Sequence, residues 1–261
     1  MASTVTDIGS NGTAGNPNGG SALATANSTS NTSITATGGA GYVATTPGAS
    51  GGYGGYAAAS ALYNLYSGGI YAFQPSVSAT GGNGGSNYLG VGYSGGNASS
   101  TVTLTEDNFS TVNSVASAQG GSGGNAQNLN GGNAGNAAAG TSISGNENIT
   151  ADASANQNNI NNPLASVGGS VEAGIGNGGN GGSGAAKASA ISSSNQANLS
   201  AVTANAYGYG SNGGNRSRPF RPVKLTTSLT MDKVYPPPEE KQINSQKKFG
   251  IKFERCTQSV R

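Results

Sequence analysis

The chain has no histidine and no tryptophan, and only one cysteine, two methionines and five phenylalanines among 261 residues. Without histidine there is no Ser-His-Asp or Cys-His nucleophile and no imidazole metal site. The lone Cys256 has no intrachain disulfide partner, and one thiol makes no zinc cluster. Charge is scarce too. Lys, Arg, Asp and Glu make up 8% of the chain, against roughly a quarter in ordinary soluble domains. The paired carboxylates Glu106-Asp107 and Glu239-Glu240 are sequence neighbours, which point to opposite faces of a strand and make no acid/base pair. There is no Gly-Lys-Ser/Thr phosphate loop, and no Asp sits in a Gly-Gly-x-Gly-x-Asp calcium frame. No run approaches the length of a membrane-spanning helix. The opening MASTVTDIGS lacks the basic and apolar regions of a standard secretory signal. The expectation is a protein that is not an enzyme and binds no cofactor.

What fills the chain is glycine, 46 residues, with 35 serines and 31 asparagines. Ordering backbone costs about 1–2 kcal/mol per residue, and glycine has the most freedom to lose. Burial returns only about 25 cal/mol per Å² of apolar surface, and alanine offers little area. Two outcomes fit. Either much of the chain is disordered, or repetitive backbone hydrogen bonding orders it in place of a large side-chain core. The expected fold class is accordingly low-complexity. It is either partly disordered or all-β, with an irregular, glycine-rich, solenoid-like body and a small C-terminal two-strand element.

Four segments are expected. Residues 1–41 are a Gly/Asn/Ser/Thr segment, and 42–93 are Gly/Tyr-rich, holding eight of the eleven tyrosines. Residues 94–215 form a repeat-like Gly/Asn/Ala/Ser body, and 216–261 a basic tail. Charge supports the last boundary: residues 1–215 carry a net −5 and 216–261 a net +7. In the body, Gly-Gly steps precede runs in which alanine alternates with Ser, Thr, Asn or β-branched residues. These units start at Gly19, Gly95, Gly131 and Gly181, at intervals of 76, 36 and 50 residues. The alternation, as in Thr101–Leu104 and Ser142–Ala151, predicts strands. YAAASALYNLY, Tyr56–Tyr66, predicts a short helix. In the tail, PVKLTTSLTMDKVY and KKFGIKFER each alternate as a half-buried strand does.

Candidate contact residues follow from this layout. Tyr53, Tyr56, Tyr63 and Tyr66 offer adhesive contacts. Arg216, Arg218 and Arg221 surround Phe220, and Phe249, Ile251 and Phe253 mark the second tail strand. Basic residues interleaved with aromatics also suit nucleic acid. Attraction between the acidic body and the basic tail explains them equally simply, and nucleic acid is not the expected partner.

GGYGGYAAAS, Gly51–Ser60, resembles segments of silk, eggshell and other glycine-rich structural proteins. The Gly-Gly units and ANQNNINN, Ala155–Asn162, resemble bacterial secreted repeat proteins, the β-solenoid adhesins and functional amyloids. These resemblances imply an extracellular or cell-surface structural protein that self-associates into a matrix, fibre or coat. The tail then docks on another copy or on a surface or matrix partner. Two other readings stand beside it: a surface adhesin or appendage subunit, and a disordered chain or fragment without independent function.

Overall fold

The computed structural model describes residues 3–46, 49–65, 72–107, 111–146, 148–156, 166–172, 176–193 and 201–215, and the backbone of 226–229. The described residues form an all-β body with no helix. Sheet A comprises β1 (Ser3–Ile8), β3 (Thr32–Thr37), β6 (Ser76–Thr80), β8 (Thr111–Gln119), β10 (Asn148–Ala155) and β12 (Val202–Gly208), in that order, with short β5 (Ala72–Phe73) also against β8. Sheet B comprises β2 (Ala22–Ser28), β4 (Ala57–Leu65), β7 (Ala98–Glu106), β9 (Ala137–Gly145), β11 (Gly184–Ser192) and β13 (Thr226–Leu229). All pairing is parallel, and the chain alternates between the sheets, so the body is a two-layered solenoid. The first expected tail strand is present as β13, where it lies against β11. The second lies outside the described residues.

Each coil leaves a sheet A strand, runs out through a glycine-rich segment, turns, and returns through a second such segment into sheet B. The Gly-Gly units starting at Gly19, Gly95, Gly131 and Gly181 are the approaches to β2, β7, β9 and β11. The 76-residue interval spans two coils, because tyrosines disguise the approach to β4. Register neighbours along layer B are 35 to 47 residues apart.

Within the expected helix Tyr56–Tyr66, Ala57–Leu65 is a strand instead. Ala57, Ala59, Ala61, Tyr63 and Leu65 are all buried, a period of two. Strands β2 and β7 supply backbone partners on both sides. A lone helix of this length has no such support.

Inner side chains grow along the strands. Next to the glycine segments lie Ala57, Ala98 and Ala137, side by side. Further along come Val102 and Thr141, then Tyr63, Leu104 and Ile143 in register. Sheet A mirrors this, from Ala118 and Ala155 back to Val112 and Ile149. At the wide end the Tyr63 hydroxyl donates to the Thr32 carbonyl at 3.1 Å, and its ring meets Phe73 edge-on with centroids 5.3 Å apart. Burial holds the Tyr63 phenol above its usual pKa, with a smaller opposing effect from Thr32.

In the glycine half nothing separates the layers, and backbone bonds to backbone across them. Gly20 N–H donates to Ser10 O, Gly39 to Gly20, Gly55 to Gly39, Gly82 to Gly55, Gly96 to Gly82, Gly121 to Gly96 and Gly135 to Gly121, at 2.6 to 2.9 Å. A second zigzag runs from Pro17 through Tyr42, Gly52, Gly85, Tyr93, Gly124, Gly132, Gly169 and Gly179 to Gly214. Along one segment the directions repeat every three residues. Gly38, Gly41 and Ala44 donate sideways to Thr80, Asn83 and Ser86, whereas Gly39 and Tyr42 donate across the layers. Period three is that of the extended polyproline II helix, in which chains pack tightly only around glycine. A Cβ on Gly39 would strike the Ser10 carbonyl, and one on Gly82 the Gly39 carbonyl.

Candidate binding faces

The remaining residue in each triplet faces outward, and it is mostly Asn or Ser. There its side chain satisfies the next segment. Ala40 N–H donates to Asn11 Oδ1 at 2.9 Å, Tyr53 to Asn18, Ser122 to Asn83, Asn136 to Asn97, Asn180 to Asn133 and Ser183 to Asn136, all within 3.0 Å. Serine does the same where Asn125 N–H donates to Ser86 Oγ at 3.0 Å. These ladders fix the carboxamide oxygens toward the backbone, leaving the amide nitrogens on the outer side. Asparagine abundance, readable only as composition in the sequence, thus has a structural use.

Short hydroxyl side chains are frequent on the outer face of sheet A, which also carries Ile8, Val115, Asp152 and Tyr207. Thr6, Thr35, Ser78, Ser117 and Ser154 make one row across five strands. Thr4, Ser33 and Ser76 make a second, within which Ser76 Oγ donates to Ser33 Oγ at 3.3 Å. Ile8, Thr37 and Thr80 make a third.

The outer face of layer B differs. It brings together two of the expected contact residues, Tyr53 and Tyr56, 55% and 45% exposed. Alternation puts Tyr56 outward, next to inward Ala57, and Tyr53 lies one triplet earlier. The Tyr93 ring packs edge-on against Tyr53, centroids 5.2 Å apart at 87°. Asn18 and Asn97 flank the rings through the lateral bonds Gly19 N–H to Tyr53 O and Ala57 N–H to Asn97 O. Leu23 projects beside them, 64% exposed. Tyr63 is a core residue, buried between the sheets. Tyr66, Arg216, Arg218, Phe220, Arg221, Phe249, Ile251 and Phe253 lie outside the described residues. Sequence reasoning missed Tyr93, Asn18 and Asn97, whose signal is their place in the Gly-Gly-x triplets.

Among the described residues no three His, Cys, Asp or Glu gather as a metal site. No described helix is long and apolar enough to cross a membrane. No family model and no curated protein matches the chain. Among solved structures it is similar to the nine-polyproline-type-II-helix bundle of a springtail antifreeze protein from Granisotoma rainieri, whose crystal waters match the ice lattice. That likeness has 18% sequence identity and a TM-score of 0.22, and covers 66% of this chain and 91% of that one.

Proposed function

We propose that the chain is a non-enzymatic structural protein of a cell surface or extracellular matrix that self-associates into a fibre, matrix or coat. The observation that supports this best is the outer face of sheet A. One row of Ser and Thr runs across five of its strands at one strand spacing, about 4.8 Å, and ends at Tyr207. Short side chains in such a row let two slabs approach closely along it, and the repeat multiplies each contact. The likeness to silk-type and bacterial secreted repeat proteins belongs to this reading. So does a docking role for 216–261, on another copy or on a surface partner. Sedimentation velocity and electron microscopy of the purified chain across concentrations test it. Ordered oligomers or filaments that grow with concentration are expected. A monodisperse monomer throughout that range defeats the proposal.

A second reading, a surface adhesin or appendage subunit, draws on Tyr53 and Tyr56 of the opposite face. It predicts binding to a foreign surface by a chain that does not assemble with itself.

A further inference from the structure

The tyrosine patch on layer B has features that generic stickiness does not need. Tyr53 and Tyr56 are three residues apart in an extended stretch that includes Gly54 and Gly55. At about 3.1 Å per residue their attachment points lie about 9 Å apart along the chain. That is comparable to the separation of alternate pyranose rings, one disaccharide repeat, in an extended β-1,4-linked polysaccharide. Aromatic rings stack on the C–H faces of such sugars, because the ring is apolar in its body and flat. The platform is also held in place. Tyr93 props Tyr53 edge-on. The Tyr93 ring in turn sits over Gly51, where a Cβ would come within 2.8 Å of its Cδ2. A fixed ring loses little freedom on binding.

The polar groups at the rim suit hydroxyls. Asn18 Oδ1 accepts Tyr53 N–H at 3.0 Å, and Asn97 Oδ1 accepts Asn136 N–H at 2.8 Å. Each carboxamide is thereby oriented with its Nδ2 donor available to a ligand. The patch residues include no Lys, Arg, Asp or Glu, which disfavours anionic ligands as partners. The patch does not recur along the slab: in the register of Tyr56 the following coils place Asn97, Asn136 and Ser183. A contact that had to repeat between stacked copies would not be confined to one end.

We infer that Tyr53, Tyr56 and Tyr93, with Asn18 and Asn97, form a binding platform for a neutral β-1,4-linked polysaccharide chain. This does not depend on the protein polymerising. Two probes cover the chemistry: hydroxyethyl cellulose in native affinity gels, and chitin beads in pull-downs, both with the full chain. Retardation or retention on at least one is expected. Tyr53→Ala with Tyr56→Ala weakens it at least about tenfold. The double Phe variant keeps most of it, since stacking and not the hydroxyl carries the contact. Tyr88→Ala, exposed but away from the patch, leaves it unchanged. Circular dichroism confirms that the variants keep their β signal. Absence of binding to both polymers, or full binding by the double Ala variant, overturns the inference. So does loss of self-association in that variant without polysaccharide binding, which makes the patch a contact between copies. If polysaccharide binds but no assembly forms, this site stands and the structural-polymer reading falls.

Discussion

Gly120 N–H donates to the side-chain Oδ1 of Asn156 at 3.0 Å. In the preceding coils the glycine that follows a sheet A strand donates to a backbone carbonyl: Gly9 to Thr37, Gly38 to Thr80, Gly81 to Gln119. At Asn156 the side chain stands in for that carbonyl. Its Nδ2 reaches Ser183 O at 3.0 Å, so one residue links both layers where the regular pattern changes. Asn156 is also the one described non-glycine residue with positive φ, 50°, a conformation Asn tolerates better than most.

Replacing Asn156 by Ala leaves buried partners unsatisfied and keeps the backbone cost. We expect a loss of about 2–3 kcal/mol in urea unfolding. Asn156→Gly removes the φ penalty and loses less. Equal losses in the two variants would show that the backbone conformation contributes nothing.

Asp7 guards an edge. Its Oδ2 accepts Leu23 N–H at 2.6 Å, on the side of β2 away from β4. An edge strand with free N–H groups invites pairing with another chain. Asp7→Ala is expected to cost about 1 kcal/mol of stability and to raise edge-to-edge association in sedimentation velocity. Unchanged association in that variant would mean that another feature blocks the edge.

Gly39 and Gly82 have no room for a Cβ between the layers. Gly82→Ala is expected to destabilise by about 3 kcal/mol or to prevent folding, since its Cβ meets the Gly39 carbonyl. Gly140→Ala is the control, because a Cβ there meets nothing within 4 Å. Thermal melts of the two should differ widely, with Gly140→Ala close to the parent.

Tyr63 links stability to alkaline pH. Its folded pKa is raised by burial, so the neutral phenol is favoured in the native state. Its contribution is fully present below the unfolded pKa of about 10 and is lost as pH rises through the folded value. Urea midpoints of the parent should fall above about pH 10 more steeply than those of Tyr63→Phe. Parallel curves would assign alkaline sensitivity to other tyrosines. At neutral pH the variant loses the bond to Thr32, at a cost of about 1 kcal/mol.

Alternation made strands legible in two stretches of the body, while β1 and β6 carry the same pattern in runs of only six and five residues. Thr101–Leu104 falls within β7, and Ser142–Ala151 covers parts of β9 and β10, with nothing in the alternation to mark the break between them. At Tyr56–Leu65, alanine's helix propensity pointed one way and backbone partners on both sides decided the other. Tyr56 and Tyr63 look alike in the sequence. Parity separates them, one outside and one in the core. The glycine half was hidden for another reason. Gly-Gly steps signal turns when read alone, and only their spacing in triplets, Gly81-Gly82-Asn83-Gly84-Gly85-Ser86, points to an extended threefold chain. The period is in the sequence, but which chain each segment bonds to depends on residues 35 or more positions away.

The graded inner side chains, from none in the glycine half to Tyr, Leu and Ile at the far end, make the slab a wedge. Wedges laid face to face do not form a flat stack. Each added molecule tilts against the last, so an assembly built on these faces bends with its glycine edges innermost. Curvature would then be written into the size of a few buried side chains, and enlarging alanines near the glycine border would straighten it.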